Sequence, residues 1–148
     1  MTSSKKRELR VVLDANVWIS ALLWGGKPAE IIKSAEDCRV SLFTSEEIMM
    51  EINSVLAYPR LAKAYQGSGL RREDLVETVL RIGKFVKVRE KVKVVGDHPA
   101  DDKFLECALA AGADYIVSGD KHLLKIICHR KTKILSVNDF LQVIEGES

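Results

Sequence analysis

Short apolar runs and amphipathic stretches alternate along most of the chain. Residues 9–13, LRVVL, predict a short buried strand. Residues 17–24 predict a helix stopped by Gly25-Gly26, and Pro28 suits the first turn of a helix running to about Cys38. Residues 40–43 predict a second strand. Thr44-Ser45-Glu46-Glu47 has the spacing of a capping box, opening a helix that ends near Ala57, before Pro59. Residues 60–65 predict a short helix and 66–69 a loop. Residues 71–82 predict an amphipathic helix with Leu75, Val79 and Ile82 on one side.

The second half continues the alternation. Residues 85–88 predict a strand and 91–99 a loop, with a further short strand considered at 92–95. Residues 102–111 predict a helix with Leu105, Ala108 and Leu109 inward, closed by Gly112. Residues 115–117 predict a strand, 121–127 a short helix and 133–135 the last strand. Ser136 caps a final helix over about 138–144. Strands alternating with helices predict an α/β fold, a parallel sheet with helices on both faces. Ligands in such folds bind outside the carboxyl ends of the strands, so the residues at those ends matter most.

Length and composition narrow the class. A chain of 148 residues suits one domain with its own core. Apolar residues make up 47% and charged residues 30%, as in soluble globular proteins. No apolar run approaches the roughly 18 residues of a membrane span, and the polar, basic start MTSSKKRELR lacks the apolar segment of a secretory signal. A cytoplasmic location is expected. Cys38, Cys107 and Cys128 are far apart and form no CxxC pair, which predicts reduced thiols. The net charge is +2, but the basic residues cluster: Lys5, Lys6, Arg7 and Arg10; eight between Arg71 and Lys93; and Lys121, Lys125, Arg130, Lys131 and Lys133. Such clusters are solvated surface or phosphate-attracting surface, and charge alone does not separate the two.

Two of the predicted strands run into acids. The first ends at Asp14 in VVLDANVWIS, and a later one leads through Ser118-Gly119 to Asp120. In a parallel sheet both ends point the same way, so two sequence-distant carboxylates can share one crevice. Taken alone, Asp14 is equally a helix cap. On a wheel of 100° per residue, Glu51 lies about 60° from Ile48, at the margin of the apolar stripe. A carboxylate there is costly unless it meets a cation or a metal, or reaches water. Asp101-Asp102 opens the helix over 102–111, and acids are favoured at helix starts. Asp101 is the better cap, and Asp102 is the better site residue. Gathered in one crevice, these like charges call for a neutralising cation. Hard oxygen donors suit Mg²⁺ or Mn²⁺, which can activate water and stabilise a phosphoryl transition state.

The segments VVLDANVWIS, SEEIMMEINSVL, DDKFLECALAAGADYIVSGDKHLL and ILSVNDFL resemble PIN domains. They are most similar to the prokaryotic, VapC-like group that includes toxin components of toxin–antitoxin systems. The resemblance covers about residues 9–144, and it implies a basic tail over 1–8 and a single PIN domain over 9–148. It also implies a three-layer α/β/α sandwich with a mainly parallel central sheet. The implied activity is metal-dependent endoribonuclease cleavage of RNA phosphodiesters. Asp14, Glu51, Asp102 and Asp120 carry over as catalytic and metal-binding acids, with Asn16, Ser118 and Asp101 in support. Mg²⁺ or Mn²⁺, a cognate antitoxin protein and a homodimer are implied, with no membrane association. Two alternatives stay open: a housekeeping RNA-processing PIN nuclease without an antitoxin, and a non-catalytic module that binds RNA or protein.

Other constellations carry less. His98, His122 and His129 match neither HExxH nor a zinc spacing and read as surface or loop residues, with His122 near enough to Asp120 to approach a phosphate. Gly25-Gly26-Lys27 lacks the full phosphate-loop motif, and no GxSxG elbow is present. Trp18 and Trp24 are expected in the core. Asp139 belongs to the start of the last helix. An aspartate-nucleophile phosphatase would want a second Asp two residues after Asp14, where this chain has Asn16.

Overall fold

The computed structural model describes residues 8–93 and 99–146. Lys5, Lys6, Arg7, His98 and the end of the strand considered at 92–95 lie outside the described residues; Val92 and Lys93 are not in a strand. In chain order the elements are β1 (Leu9–Leu13), α1 (Ala15–Leu23), α2 (Gly26–Glu36), β2 (Val40–Thr44), α3 (Glu46–Leu56), α4 (Pro59–Gln66), α5 (Arg72–Ile82) and β3 (Lys84–Phe85). A 3₁₀ turn (Pro99–Asp101) then leads into α6 (Asp102–Ala111), followed by β4 (Tyr115–Val117), α7 (Lys121–Leu124), β5 (Cys128–His129), β6 (Thr132–Leu135) and α8 (Val137–Gly146).

The strands form one sheet in the order β3-β2-β1-β4-β6-β5. All neighbours are parallel except β5, which turns back antiparallel on β6 at the edge. Helices flank this sheet in an α/β sandwich. Successive strands are added leftward from β1 and later rightward from it, so the order reverses between β1 and β4. That reversal opens a crevice at the carboxyl ends of these two strands. Leu13 of β1 stands opposite Val117 of β4, and the Asp14 N–H donates to Val117 O at 3.1 Å. The register therefore sets Asp14 beside the chain segment that leads to Asp120.

The core lies where the helices meet the sheet. Leu13, Trp18, Leu42, Ile48, Ile52, Leu105, Ile116 and Phe140 are fully buried. Burying an aliphatic side chain of this size contributes about 1.5–3 kcal/mol. α6 packs over β1, β2 and β4, and every residue from Phe104 to Ala108 is buried, so this helix is enclosed on nearly all sides. It ends where Gly112 takes a left-handed conformation (φ 61°), which costs glycine nothing.

Several local expectations are corrected. The cap of α3 is Ser45, whose Oγ accepts from the Ile48 N–H, and not Thr44. Thr44 remains the last, fully buried residue of β2, paired with Phe85, so the capping box is displaced by strand pairing. β3 is shorter than expected and begins at Lys84, because β2 offers it only Phe43 and Thr44 as partners. α7 ends at Leu124, and the chain beyond it supplies the unforeseen β5, where His129 is half-buried within a strand. Trp18 is in the core as expected, but Trp24 is 61% exposed, because α1 ends at Leu23 and Trp24 caps it on the solvent side. Ser136 does cap α8, through the Asp139 N–H. The three cysteines are free thiols.

Candidate active site

Asp14 sits at the crevice between β1 and β4, nearly out of contact with solvent. It is the helix cap the sequence allowed, placed at the strand-end crevice. As the N-cap of α1, its Oδ1 accepts from the Val17 N–H at 2.8 Å. Its Oδ2 accepts from the hydroxyl of Ser118, the residue that follows β4. The Gly119 backbone N–H is a third donor. Burial nonetheless raises the Asp14 pKa above its ordinary value; the hydrogen bonds from Ser118, Val17 and Gly119 oppose this, and the nearby Asp120 charge adds to it. A buried carboxylate with an acid neighbour favours any cation that reaches it.

Ser118 joins two of the expected acids. While its hydroxyl donates to Asp14, its Oγ accepts from the Asp120 N–H at 2.9 Å. The Ser118 N–H is fixed to Leu135 O of β6, so the bridging residue is held from both sides. Asp120 caps α7, accepting from the His122 N–H at 2.7 Å, and is half-exposed at the crevice. Asn16 is exposed in the first turn of α1, two residues from Asp14.

The other two expected acids arrive on α3 and α6. Asp102 opens α6 and is buried. Asp101 occupies the cap position but makes no capping hydrogen bond with its side chain. Its backbone is already helical because the 3₁₀ turn runs straight into α6, and a helical φ/ψ aims the side chain away from the cap donors. Glu51, at the margin of α3, has found a cation: Lys103 Nζ lies 2.5 Å from its Oε1. The two side chains are only 32% and 17% exposed.

The structure thus brings Asp14 and Asp120 together through Ser118, and ties Glu51 to the residue next to Asp102. Among the described residues, no three His, Cys, Asp or Glu side chains stand close enough to hold a metal ion as they are. The donor chemistry fits a hard divalent cation, since the four acids present oxygen only. Closing the acids on such an ion requires their side chains to move.

Three residues outside the expected set border this region. Glu106 is buried one turn after Asp102 on the same face of α6, and accepts from the Val92 N–H at 3.1 Å. Lys91 bridges Glu47 at 2.9 Å and Glu106 at 3.6 Å. The i, i+4 spacing from Asp102 was a signal for Glu106, whereas nothing local pointed to Lys91 or Lys103. A hollow of about 310 Å³ lies among Glu47, Lys91, Asp102, Lys103 and Glu106. Several basic residues of the middle and late clusters are neutralised by surface pairs, Arg71 with Asp74, Arg81 with Glu36, Lys84 with Glu8 and Arg130 with Glu90. Lys121, Lys125, Lys131 and Lys133 are exposed.

The family model described as PIN domain matches residues 10–122. The uncharacterized protein MJ1680 of Methanocaldococcus jannaschii is 29% identical over 140 residues, covering 94% of this chain and 87% of that one. Among solved structures, PAE2754 from Pyrobaculum aerophilum superposes with a TM-score of 0.58 at 16% identity, covering 93% of this chain and 90% of the other. VapBC2 from Rickettsia felis, solved bound to a DNA fragment from its promoter, superposes with a TM-score of 0.59 at 10% identity, covering 86% and 98%. Identities this low show a shared fold.

Proposed function

Because the chain belongs to the PIN domain family, whose members are generally nucleases, we propose that it is a Mg²⁺- or Mn²⁺-dependent endoribonuclease and the toxin component of a toxin–antitoxin pair. The observation that carries this reading is the Asp14–Ser118–Asp120 bridge at the point where strand order reverses. Asp14, Glu51, Asp102 and Asp120 would hold the metal, with Asn16, Ser118 and Asp101 in support. When bound, such a cation supplies Lewis-acid polarisation of a phosphoryl oxygen and lowers the pKa of water.

The chain's own residues have defined tasks in this mechanism. Ser118 holds the Asp14 carboxylate at a fixed angle and favours its ionised form. Asp120 stands across the crevice and keeps negative charge where a cation is wanted. Exposed Lys121 and Lys125, beyond Asp120, attract the phosphate backbone of an RNA strand. In-line hydrolysis at this site leaves a 5′-phosphate and a 3′-hydroxyl.

The likeness in fold to VapBC2 supports a search for a partner protein. A cognate antitoxin and a homodimer are the expected assemblies, in the cytoplasm. Among the described residues, no helix is long and apolar enough to cross a membrane. The test is cleavage of single-stranded RNA by the purified chain with Mn²⁺ or Mg²⁺, with and without EDTA, beside Asp14→Asn. Metal-dependent cleavage lost in the variant supports the nuclease; equal cleavage by both proteins overturns the site. Growth arrest on expression of the active chain alone, relieved by a protein encoded beside it, supports the toxin role. Cleavage without growth arrest favours a housekeeping RNA-processing nuclease, and metal-independent RNA binding without cleavage favours a non-catalytic module.

A further inference from the structure

We infer that Lys103 is a built-in competitor for the metal: its ammonium holds Glu51 in the metal-free protein and must leave that carboxylate for a divalent cation to be fully bound. The inference rests on the metal-centre reading above and concerns a residue outside the proposed ligand set.

Three features point this way. First, the pair is close and sheltered, with Nζ 2.5 Å from Glu51 Oε1 and the Lys103 side chain only 17% exposed. Exposed ion pairs are loose and weak; this one is partly removed from water on both sides. Second, Lys103 occupies the first turn of α6, where the helix dipole disfavours a positive charge. Local preference does not put a cation there. The Glu51 carboxylate across the gap on α3 and the Phe104 ring, 5.7 Å from Nζ, both favour it. Third, Lys103 directly follows buried Asp102 in the chain, and the two residues line the same hollow. An ammonium there gives Glu51 a counter-charge while the metal is absent, and opposes a second cation arriving at the same oxygens.

A lysine is suited to this exchange. Its charge sits on a flexible four-carbon stem, so it can swing from one carboxylate toward water or a phosphate without disturbing the helix that carries it. Metal loading then becomes an exchange of one cation for another, and Glu51 keeps a counter-charge in both states.

The experiment is Mn²⁺ titration of the full chain, followed by the loss of the free-ion electron paramagnetic resonance signal. It compares the native protein with Lys103→Met and Lys103→Arg, and uses Asp14→Asn as control. Lys103→Met is expected to bind Mn²⁺ about tenfold more tightly, with Lys103→Arg close to native because it keeps the charge. Circular dichroism verifies that each variant is folded, and a merely structural role for Lys103 would not tighten binding on its removal. Unchanged or weaker binding by folded Lys103→Met, while native protein binds Mn²⁺ and Asp14→Asn does not, overturns this inference and leaves the metal centre standing. Absence of Mn²⁺ binding in native protein and Lys103→Met alike overturns both.

Discussion

The Ser118 hydroxyl donates to Asp14 Oδ2 across the crevice between β4 and β1, and the same oxygen accepts from the Asp120 N–H. One small side chain thus fixes the most buried acid of the site and the backbone of its neighbour. Its hydrogen bond is the largest influence holding the Asp14 pKa down against burial. In Ser118→Ala the carboxylate loses that donor and its pKa rises further. Activity that requires ionised Asp14 then appears at a higher pH. The acid limb of the pH–rate profile is expected to move upward, with activity falling about 10- to 100-fold at neutral pH, as for other groups that orient a metal-binding carboxylate. An unmoved acid limb would show that Ser118 does not act through Asp14.

Burial of the Asp14 carboxylate costs stability at neutral pH. Its pKa in the folded protein is raised above the ordinary 3.8, chiefly by burial. For an acid the sign is direct: the folded chain holds this proton more tightly than the unfolded chain, so stability is lost as pH rises from near 3.8 through the raised value. Asn at this position keeps a cap oxygen for the Val17 N–H and carries no charge. Metal-free Asp14→Asn is therefore expected to melt a few degrees above the native protein at neutral pH; about 1 kcal/mol is worth roughly 2–4 °C in a chain of this size. The gap closes as the pH falls toward 3.8. Thermal melts at a series of pH values, without metal and with Mn²⁺, check both signs, since Mn²⁺ should raise the native melting temperature alone.

The thiols report the packing of α6. Burial pushes the Cys107 thiol up to about 12, against a hydrogen bond with Ser45, while Cys38 and Cys128 are exposed. The thiolate is the reactive form, so at about pH 8 Cys107 is inert. Alkylation of the folded protein should stop at Cys38 and Cys128 by mass spectrometry, with Cys107 labelled only after unfolding. Rapid labelling of Cys107 in the folded chain would mean that α6 opens from the sheet far more readily than its packing implies.

Much of this was legible in the sequence because local pattern and final environment agree. β1, β4 and α6 have the bounds that apolar spacing and Gly112 predict. The parallel sheet followed from alternation, and with it the meeting of Asp14 and the Asp120 segment. What stayed hidden depends on distant partners. β5 is two residues long, Cys128 and His129, and exists only because β6 pairs with it. The cap of α3 shifted to Ser45 because β2 keeps Thr44 in a pairing decided by β3. The helical wheel placed Glu51 where it needs a cation, but that cation comes from Lys103, 52 residues away. Trp24 escaped because one residue of helix length decides whether a side chain faces the core or the solvent.

The connection from α5 to β3 sets the edge of the sheet and turns on Gly83. A Cβ at this position would lie 2.9 Å from Val79 O, 3.2 Å from the Thr44 methyl and 3.7 Å from the Trp18 ring. Its φ of −76° is open to any residue, so the constraint is space and not backbone conformation. The nearest obstacle is a backbone oxygen at the end of α5, to which the Gly83 N–H donates at 2.7 Å. It cannot rotate aside as a side chain would. Gly83→Ala must therefore lift β3 from β2 or push on Trp18, which is fully buried. Overpacking of this kind costs about 1–3 kcal/mol. Urea unfolding should show a lower midpoint with an unchanged slope, and a midpoint equal to the native one would mean that the α5–β3 turn is looser than this packing requires.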